Sequence, residues 1–197
     1  MDNLFNEIKK CQKCNNLEPW TKFNSNSHGN INSKYMLISE APGTISIENQ
    51  RYWTGISGIR IRNLLSEVSE YELEDLFYLT DIVKCYPPNN RTPNVHEINE
   101  CKDYLKREIE IIRPKLIISF GSKVLKFMLS NYKYNCVNCS APTQITLLHN
   151  NNGYRRFRFE SFDLIPLLHP SAANRFMDYG IYKQQLKEIY QEIIENR

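Results

Sequence analysis

Four of the six cysteines in this 197-residue chain carry a spacing that can hold a metal centre. Cys11-x-x-Cys14 puts two thiolates within reach of one centre; Cys85 follows about seventy residues later and Cys101 sixteen beyond it. Such a Cys₄ set suits structural zinc or an iron–sulfur cluster, since thiolate is a preferred ligand of both. The spacing is not the two close pairs of a zinc ribbon, and a set of buried free thiols is the plain alternative. Cys136-x-x-Cys139 is a second pair, in a segment rich in Asn and Tyr. It is open to a zinc half-site, a redox pair or no role, and the lack of two further nearby ligands favours the last.

Basic residues cluster as Arg51, Arg60 and Arg62, as Lys84 with Arg91, and as Arg155, Arg156 and Arg158 in YRRFRF. Cations interleaved with aromatics suit phosphate contact and base stacking. A solvated basic face explains any one cluster equally well. The formal charge of +3, from 25 basic and 22 acidic residues, permits a nucleic-acid partner without requiring one.

These residues need a frame. Residues 34–39 (KYMLIS) read as a buried strand, followed by a loop through Pro42 and Gly43 to Gly58. The spacing of Ile61, Leu64, Leu65 and Val68 predicts a helix from about 59 to 68. Residues 76–84 (LFYLTDIVK) read as a second strand, broken at Pro87-Pro88. Thr92-Pro93 opens a helix from about Asn94 to Ile112. Residues 115–120 (KLIISF) form a third strand, closed by Gly121 and followed by a helix to Ser130. Residues 163–168 (DLIPLL) form a fourth, and an amphipathic helix covers about 181–195. Strands alternating with helices imply a mainly parallel sheet covered on both faces. Ligands of such sheets bind beyond the carboxyl ends of the strands, so the loops after Ser39, Lys84 and Leu168 should meet at one site.

The chain is expected to form one domain over residues 1–197, with an insertion at about 131–160. With 41% hydrophobic and 24% charged residues it has an ordinary globular composition. No apolar run approaches the roughly 18 residues that span a bilayer. The start, MDNLFNEIKKCQKC, lacks an apolar signal core, so no membrane association and a cytosolic place with free thiols are expected.

Three segments together resemble the iron–sulfur uracil-DNA glycosylases often called family 4. They are SEAPG (39–43), DIVKCYPPNNRTP (81–93) continuing to Cys101, and HPSA (169–172), with a GxxG-like stretch from Gly55 to Gly58. The resemblance covers nearly the whole chain apart from the insertion. It implies an α/β fold, three-layer αβα with a central, mainly parallel four-stranded sheet. It implies a [4Fe–4S] cluster on Cys11, Cys14, Cys85 and Cys101, and no further small-molecule cofactor. The partner it implies is DNA with a flipped-out base, which a monomer hydrolyses to an abasic site.

The resemblance also assigns roles. Breaking an N-glycosidic bond puts negative charge on the departing base, and His169 matches the family histidine that stabilises it. Asn90 matches the position implicated in holding the attacking water, with Glu40 as second candidate; an Asx-turn is a compatible role for Asn90. The flipped base must stack on an aromatic ring. The family's phenylalanine, thirteen residues after the glutamate, corresponds to Trp53. Ala41 and Gly43 line the same base-binding loop. Arg91, Ser171 and Arg175 face DNA, and Arg175 or Phe176 fills the gap left by the base.

Two departures bear on the substrate. The family reads uracil with an asparagine four residues before its third cysteine, and here that residue is Asp81. An ionised aspartate only accepts, which fits the amino group of cytosine better than uracil O4; protonated, it can also donate to cytosine N3 or serve uracil. The family's later glutamate, which crowds the C5 side of the base, is replaced by Ser46, unless the loop shifts to return Glu48. The motif's first glycine is Ser39. These changes point to a 5-modified cytosine, such as a phage's hydroxymethylated or glucosylated base, as substrate of a defence enzyme. A divergent uracil glycosylase is the rival, and a non-catalytic iron–sulfur DNA-binding protein of the same fold is a third reading.

Overall fold

The computed structural model describes residues 1–14, 17, 23–135, 156–171 and 178–197. Cys136, Cys139, Arg155, Arg175 and Phe176, singled out above, lie outside the described residues.

Helix α1 (Asp2–Lys10) precedes the first strand, β1 (Tyr35–Ser39). Short helix α2 (Thr44–Glu48) and α3 (Ile56–Ser66) follow. Helix α4 (Leu73–Leu76) then takes the first residue of the expected second strand. A reciprocal cap between Glu72 and Asp75 holds that turn, so β2 is only Tyr78–Asp81. Helix α5 (Val95–Ile112) starts on a similar cap, Asn94 with Glu97. Strand β3 (Leu116–Phe120), α6 (Ser122–Asn131), β4 (Tyr134–Asn135), β5 (Phe157–Phe159), β6 (Asp163–Leu167) and α7 (Tyr179–Glu195) complete the chain.

The sheet order is β2-β1-β3-β6-β5-β4. The four strands expected from the apolar runs are the parallel ones. All residues of β1 and β3 are buried, which requires cover on both faces and explains their unbroken hydrophobicity. Helix α6 packs against β3 and α5 against β2, while α3 pairs with α7 and α1 with α5. The two further strands come from the ends of the insertion, and pair antiparallel with β6 and each other.

This hairpin corrects the reading of YRRFRF. Phe157 and Phe159 point into the core and only Arg158 points out. Arg156 is bound to Glu192 at 2.6 Å and lies near Asp163, which also receives Arg158 at 3.3 Å. Arg51 and Arg62 are likewise held by Glu72 and Glu74. Among the described residues no helix is long and apolar enough to cross a membrane.

Beside β2, His28 is enclosed by aromatic rings: Phe5 at 4.8 Å, Tyr52 at 5.3 Å and Tyr78 at 5.4 Å. Its Nδ1 meets the Leu79 carbonyl at 2.8 Å. Burial lowers its pKa from 6.5 to about 4. Below about 6.5 the unfolded chain takes up a proton that the folded chain refuses until about 4, so stability should fall as pH falls through that window. Thermal unfolding across this range should show a flatter profile for His28→Phe than for the wild type.

Candidate active site

Every parallel strand ends on the same side, and the loops after Ser39, Asp81 and Leu167 surround one cleft of about 650 Å³. Sheet order places β1 between β2 and β3, a topological switch of the kind where open α/β sheets bind ligands. Glu40, Ala41, Gly43 and Ser46 line it from the loop after β1, with Trp53 beyond them. Asp81, Asn90 and Arg91 line it from the β2 side, and His169 and Ser171 from the β6 side. Each described residue expected in catalysis or base and DNA contact is thus brought together.

Glu40 lies over β3. A Cβ on Gly121 would fall 2.8 Å from Glu40 Oε1, and Gly121 has φ +99°, so this position admits glycine alone without strain. Burial raises the Glu40 pKa; the Lys123 charge and its backbone N–H, in the first turn of α6, oppose that rise.

Asn90 sits at the mouth of the cleft and is exposed. Its Oδ1 accepts from the Thr44 N–H at 3.0 Å and lies 3.2 Å from the Thr44 hydroxyl. Its own N–H donates to the Tyr86 hydroxyl, which also meets Thr44 Oγ1 at 2.9 Å. The amide oxygen is therefore engaged in holding the start of α2, and its NH₂ is the group left for a ligand or water. The left-handed backbone of Asn89 and Asn90 (φ 57° and 53°) suits asparagine.

Trp53 also has a left-handed backbone, φ 58°, costly for a bulky residue. Arg62 holds it by donating to the Tyr52 carbonyl at 2.7 Å and the Trp53 carbonyl at 3.0 Å. Gly58 permits the close approach, because a Cβ there would lie 1.9 Å from Trp53 O. The indole packs between Phe120 at 4.9 Å and His169 at 5.8 Å. Burial lowers the His169 pKa from 6.5 to about 4, so its ring is neutral near pH 7 and can offer a ligand a hydrogen bond but no charge. The Pro170 carbonyl beside it accepts from Arg60 at 2.9 Å.

Ser46 is buried and its Oγ accepts from the Thr54 N–H at 3.4 Å. Glu48 is exposed on α2 and does not line the cleft, so the loop does not return a carboxylate to this wall. Asp81 is wholly buried. Ser39 Oγ donates to its Oδ1, while Oδ2 has no hydrogen-bond partner among the described residues. Burial pushes its pKa from 3.8 up to about 7, against the Ser39 bond and the Lys84 charge.

The cysteines stand behind the β2 loop. Cys11, Cys14, Cys85 and Cys101 form no disulfide among the described residues. Burial, then the neighbouring Cys101 and Cys11, raises Cys14 to about 11. Cys101 receives the backbone N–H of Lys84, the residue before Cys85. No three His, Cys, Asp or Glu among the described residues are grouped to hold a single metal ion. Tyr52, Tyr86, Thr44, Arg60 and Arg62 were not singled out as site residues from sequence for these roles. Their parts depend on contacts across the fold, and only the arginine cluster was visible.

A model of the uracil DNA glycosylase superfamily matches residues 27–194. A type-4 uracil-DNA glycosylase of Saccharolobus solfataricus is 32% identical, over 98% of this chain and 83% of its own. One from Archaeoglobus fulgidus is 28% identical, over 97% and 88%. A DNA polymerase of Bacillus phage SP01 is 28% identical over 86% of this chain, in 17% of its own length.

The buried Asp81 carboxyl has a consequence for stability. Its folded pKa of about 7 lies above 3.8, so the unfolded chain sheds a proton that the folded chain keeps. Stability therefore falls as pH rises between those values and stays lower above them, by an amount on the order of a few kcal/mol. Asp81→Asn should melt higher than the wild type above neutral pH, with the gap closing toward pH 4.

Proposed function

The chain belongs to the uracil-DNA glycosylase superfamily, and from that premise we propose that it hydrolyses the N-glycosidic bond of a pyrimidine flipped out of DNA, leaving an abasic site. The observation that carries this reading is the convergence of Glu40, Asp81, Trp53 and His169 on one cleft. A flipped base entering it meets the Trp53 indole as its stacking face. Neutral His169 donates a hydrogen bond to the base oxygen as negative charge builds there. Glu40 accepts a proton from the attacking water, because the Asn90 oxygen is already bound to Thr44. Asn90 positions the Glu40 loop and offers its NH₂ to the water. Arg91 and Ser171, at the cleft edge, meet the phosphates. Retention of both His169 and Glu40 in the cleft argues against a DNA-binding protein without turnover.

The substrate we favour is a 5-modified cytosine, with removal of such bases from invading phage DNA as the biological role. Two observations support it: small Ser46 stands on the wall where the family has a glutamate, and Glu48 is turned away. Asp81 supplies an acceptor for the amino group at C4. Uracil is the second reading, favoured by the names of the relatives and by the raised pKa of Asp81, since a neutral carboxyl can donate to O4 and accept from N3–H as an amide does.

Four cysteines outside any disulfide among the described residues, three within mutual electrostatic reach and the fourth beside the Lys84–Cys101 contact, suit a group that spreads its ligands over several metal atoms better than a single ion. A [4Fe–4S] cluster on Cys11, Cys14, Cys85 and Cys101 would join the end of α1 and the start of α5 to the loop bearing Asn90. It would supply rigidity, and the glycosidic step needs nothing from it. Anaerobically purified protein should show broad visible absorbance that Cys101→Ala removes, with a lower melting temperature; a colourless wild type holding zinc would overturn the cluster.

Duplexes containing uracil, cytosine, 5-hydroxymethylcytosine or its glucosylated form, followed by alkaline cleavage, test the activity. Alkali-labile sites should form at the modified cytosines, and sites at uracil alone would sink that substrate. His169→Ala and Glu40→Gln should each lower the single-turnover rate by roughly 10²–10⁴-fold without abolishing DNA binding. Binding without cleavage by the wild type on every duplex would overturn the enzyme reading.

A further inference from the structure

Ser39 and Asp81 are register partners at the carboxyl ends of adjacent strands β1 and β2. Their side chains join: Ser39 Oγ–H donates to Asp81 Oδ1, and both residues are buried at the floor of the cleft. The other carboxyl oxygen, Oδ2, is buried with no hydrogen-bond partner among the described residues. The two oxygens of one carboxyl are thereby made unequal by a neighbour whose hydroxyl a glycine would not provide.

We infer that Ser39 is a specificity-positioning residue: by donating to Oδ1 it fixes that oxygen as the acceptor and leaves Oδ2 as the place for the carboxyl proton, so that Asp81 reads the base edge in one sense only. The inference rests on the reading of Asp81 as the group that meets the base.

The chemistry is a matter of donor and acceptor order. A neutral carboxyl carries one acceptor and one donor side by side. A 4-amino pyrimidine presents a donor at its exocyclic nitrogen and an acceptor at N3; a 4-keto pyrimidine presents the reverse. With equivalent oxygens, the proton moves to whichever oxygen suits the edge, and both base types are served. With Ser39 donating to Oδ1, serving the second type means putting the proton on the oxygen that Ser39 already addresses, which sets two donors against each other. One orientation is then favoured, and in the cytosine-type reading it is the one in which Oδ1 receives the C4 amino group and Oδ2–H faces N3.

The groups around the carboxyl leave this task to Ser39. Lys84 acts on it by charge, Glu40 and Glu108 raise its pKa, and Tyr52 lies near enough to feel its charge. Among the described residues none of these makes a side-chain hydrogen bond to either oxygen, whereas Ser39 does.

The test uses the full chain and its Ser39→Ala, Ser39→Gly and Ser39→Thr variants. Single-turnover excision is measured on matched duplexes bearing a 5-hydroxymethylated 4-amino base or its 4-keto counterpart, 5-hydroxymethyluracil. Ser39→Ala and Ser39→Gly should shrink the rate ratio between the two bases by roughly tenfold, the scale of one well-formed base contact, and Ser39→Thr should keep it. A ratio within about twofold of the wild type in both the alanine and glycine variants would overturn the inference. A second readout is independent of turnover: the carboxyl band of Asp81, assigned in infrared spectra by its loss in Asp81→Asn and followed through a pH titration. Ser39 stabilises the ionised carboxyl, so its removal should move the midpoint upward; an unmoved midpoint would overturn the inference even if the enzyme excises the expected base. If the wild type excises no base, the catalytic reading falls, and the infrared midpoint decides for or against Ser39 alone.

Discussion

The ammonium of Lys84 is buried, and the loop that carries the chemistry depends on how its three hydrogen bonds are met. Lys84 Nζ donates to Glu108 Oε2 at 2.5 Å, Thr80 Oγ1 at 2.7 Å and the Asp81 carbonyl at 2.6 Å. Glu108 is closed in turn by the Thr80 hydroxyl at 2.9 Å and the Tyr78 hydroxyl at 3.0 Å. An ion pair this deep is tolerable because each member is satisfied, and losing one partner typically costs about 3–5 kcal/mol. The pair bolts α5 to the end of β2 at the point where the chain leaves the sheet. Ile82 and Val83 extend that hold by donating to the Ser39 and Glu40 carbonyls at 2.9 and 3.1 Å. Three residues before Lys84 stands Asp81, and one residue after it stands Cys85, so the carboxyl at the floor of the cleft and the cysteine that follows it share one fixed turn.

From that turn outward the site is assembled from positions the backbone would avoid elsewhere. Trp53 and Asn90 have positive φ, and Gly58 and Gly121 exist to let a carbonyl and a carboxylate come close. Such conformations persist only where surroundings over-determine them. Arg62 does this for Trp53, and Thr44 with Tyr86 for Asn90. Arg51 and Arg62 are therefore better understood as scaffolding tied to Glu72 and Glu74 than as a phosphate patch.

Much of this was legible in the amino-acid order, for a physical reason. A strand buried on both faces must be apolar throughout, so YMLIS and LIISF announce themselves, and a parallel sheet then dictates that the following loops meet. Residue spacing around Cys85 marked the family and the site loops. What escaped was set by contacts distant in sequence. Strands of two and three residues, as in β4 and β5, have no period to read, and the phenylalanines of YRRFRF look the same whether they stack on bases or fill a core. The fate of the Asn90 oxygen depended on Thr44, forty-six residues away. The fate of Glu48 depended on α2 forming, which turned it outward while Ser46 turned in.

The same distinction applies to Asp81. Its identity was visible and its meaning was not, because an aspartate's hydrogen-bonding sense is set by protonation and neighbours. A solvated carboxylate at this position would be an acceptor only. Buried at the floor of the cleft, with its pKa raised to about 7, it stands between two states near neutral pH. The cost of that burial falls on stability and, in the proposed reading, its benefit on recognition, since an unsatisfied polar atom rewards the ligand that completes it. Asp81 Oδ2 is such an atom, and Ser39 is the neighbour that makes its partner oxygen different. In the proposed reading specificity belongs to a pair of adjacent strand ends, and a single residue read in isolation understates it.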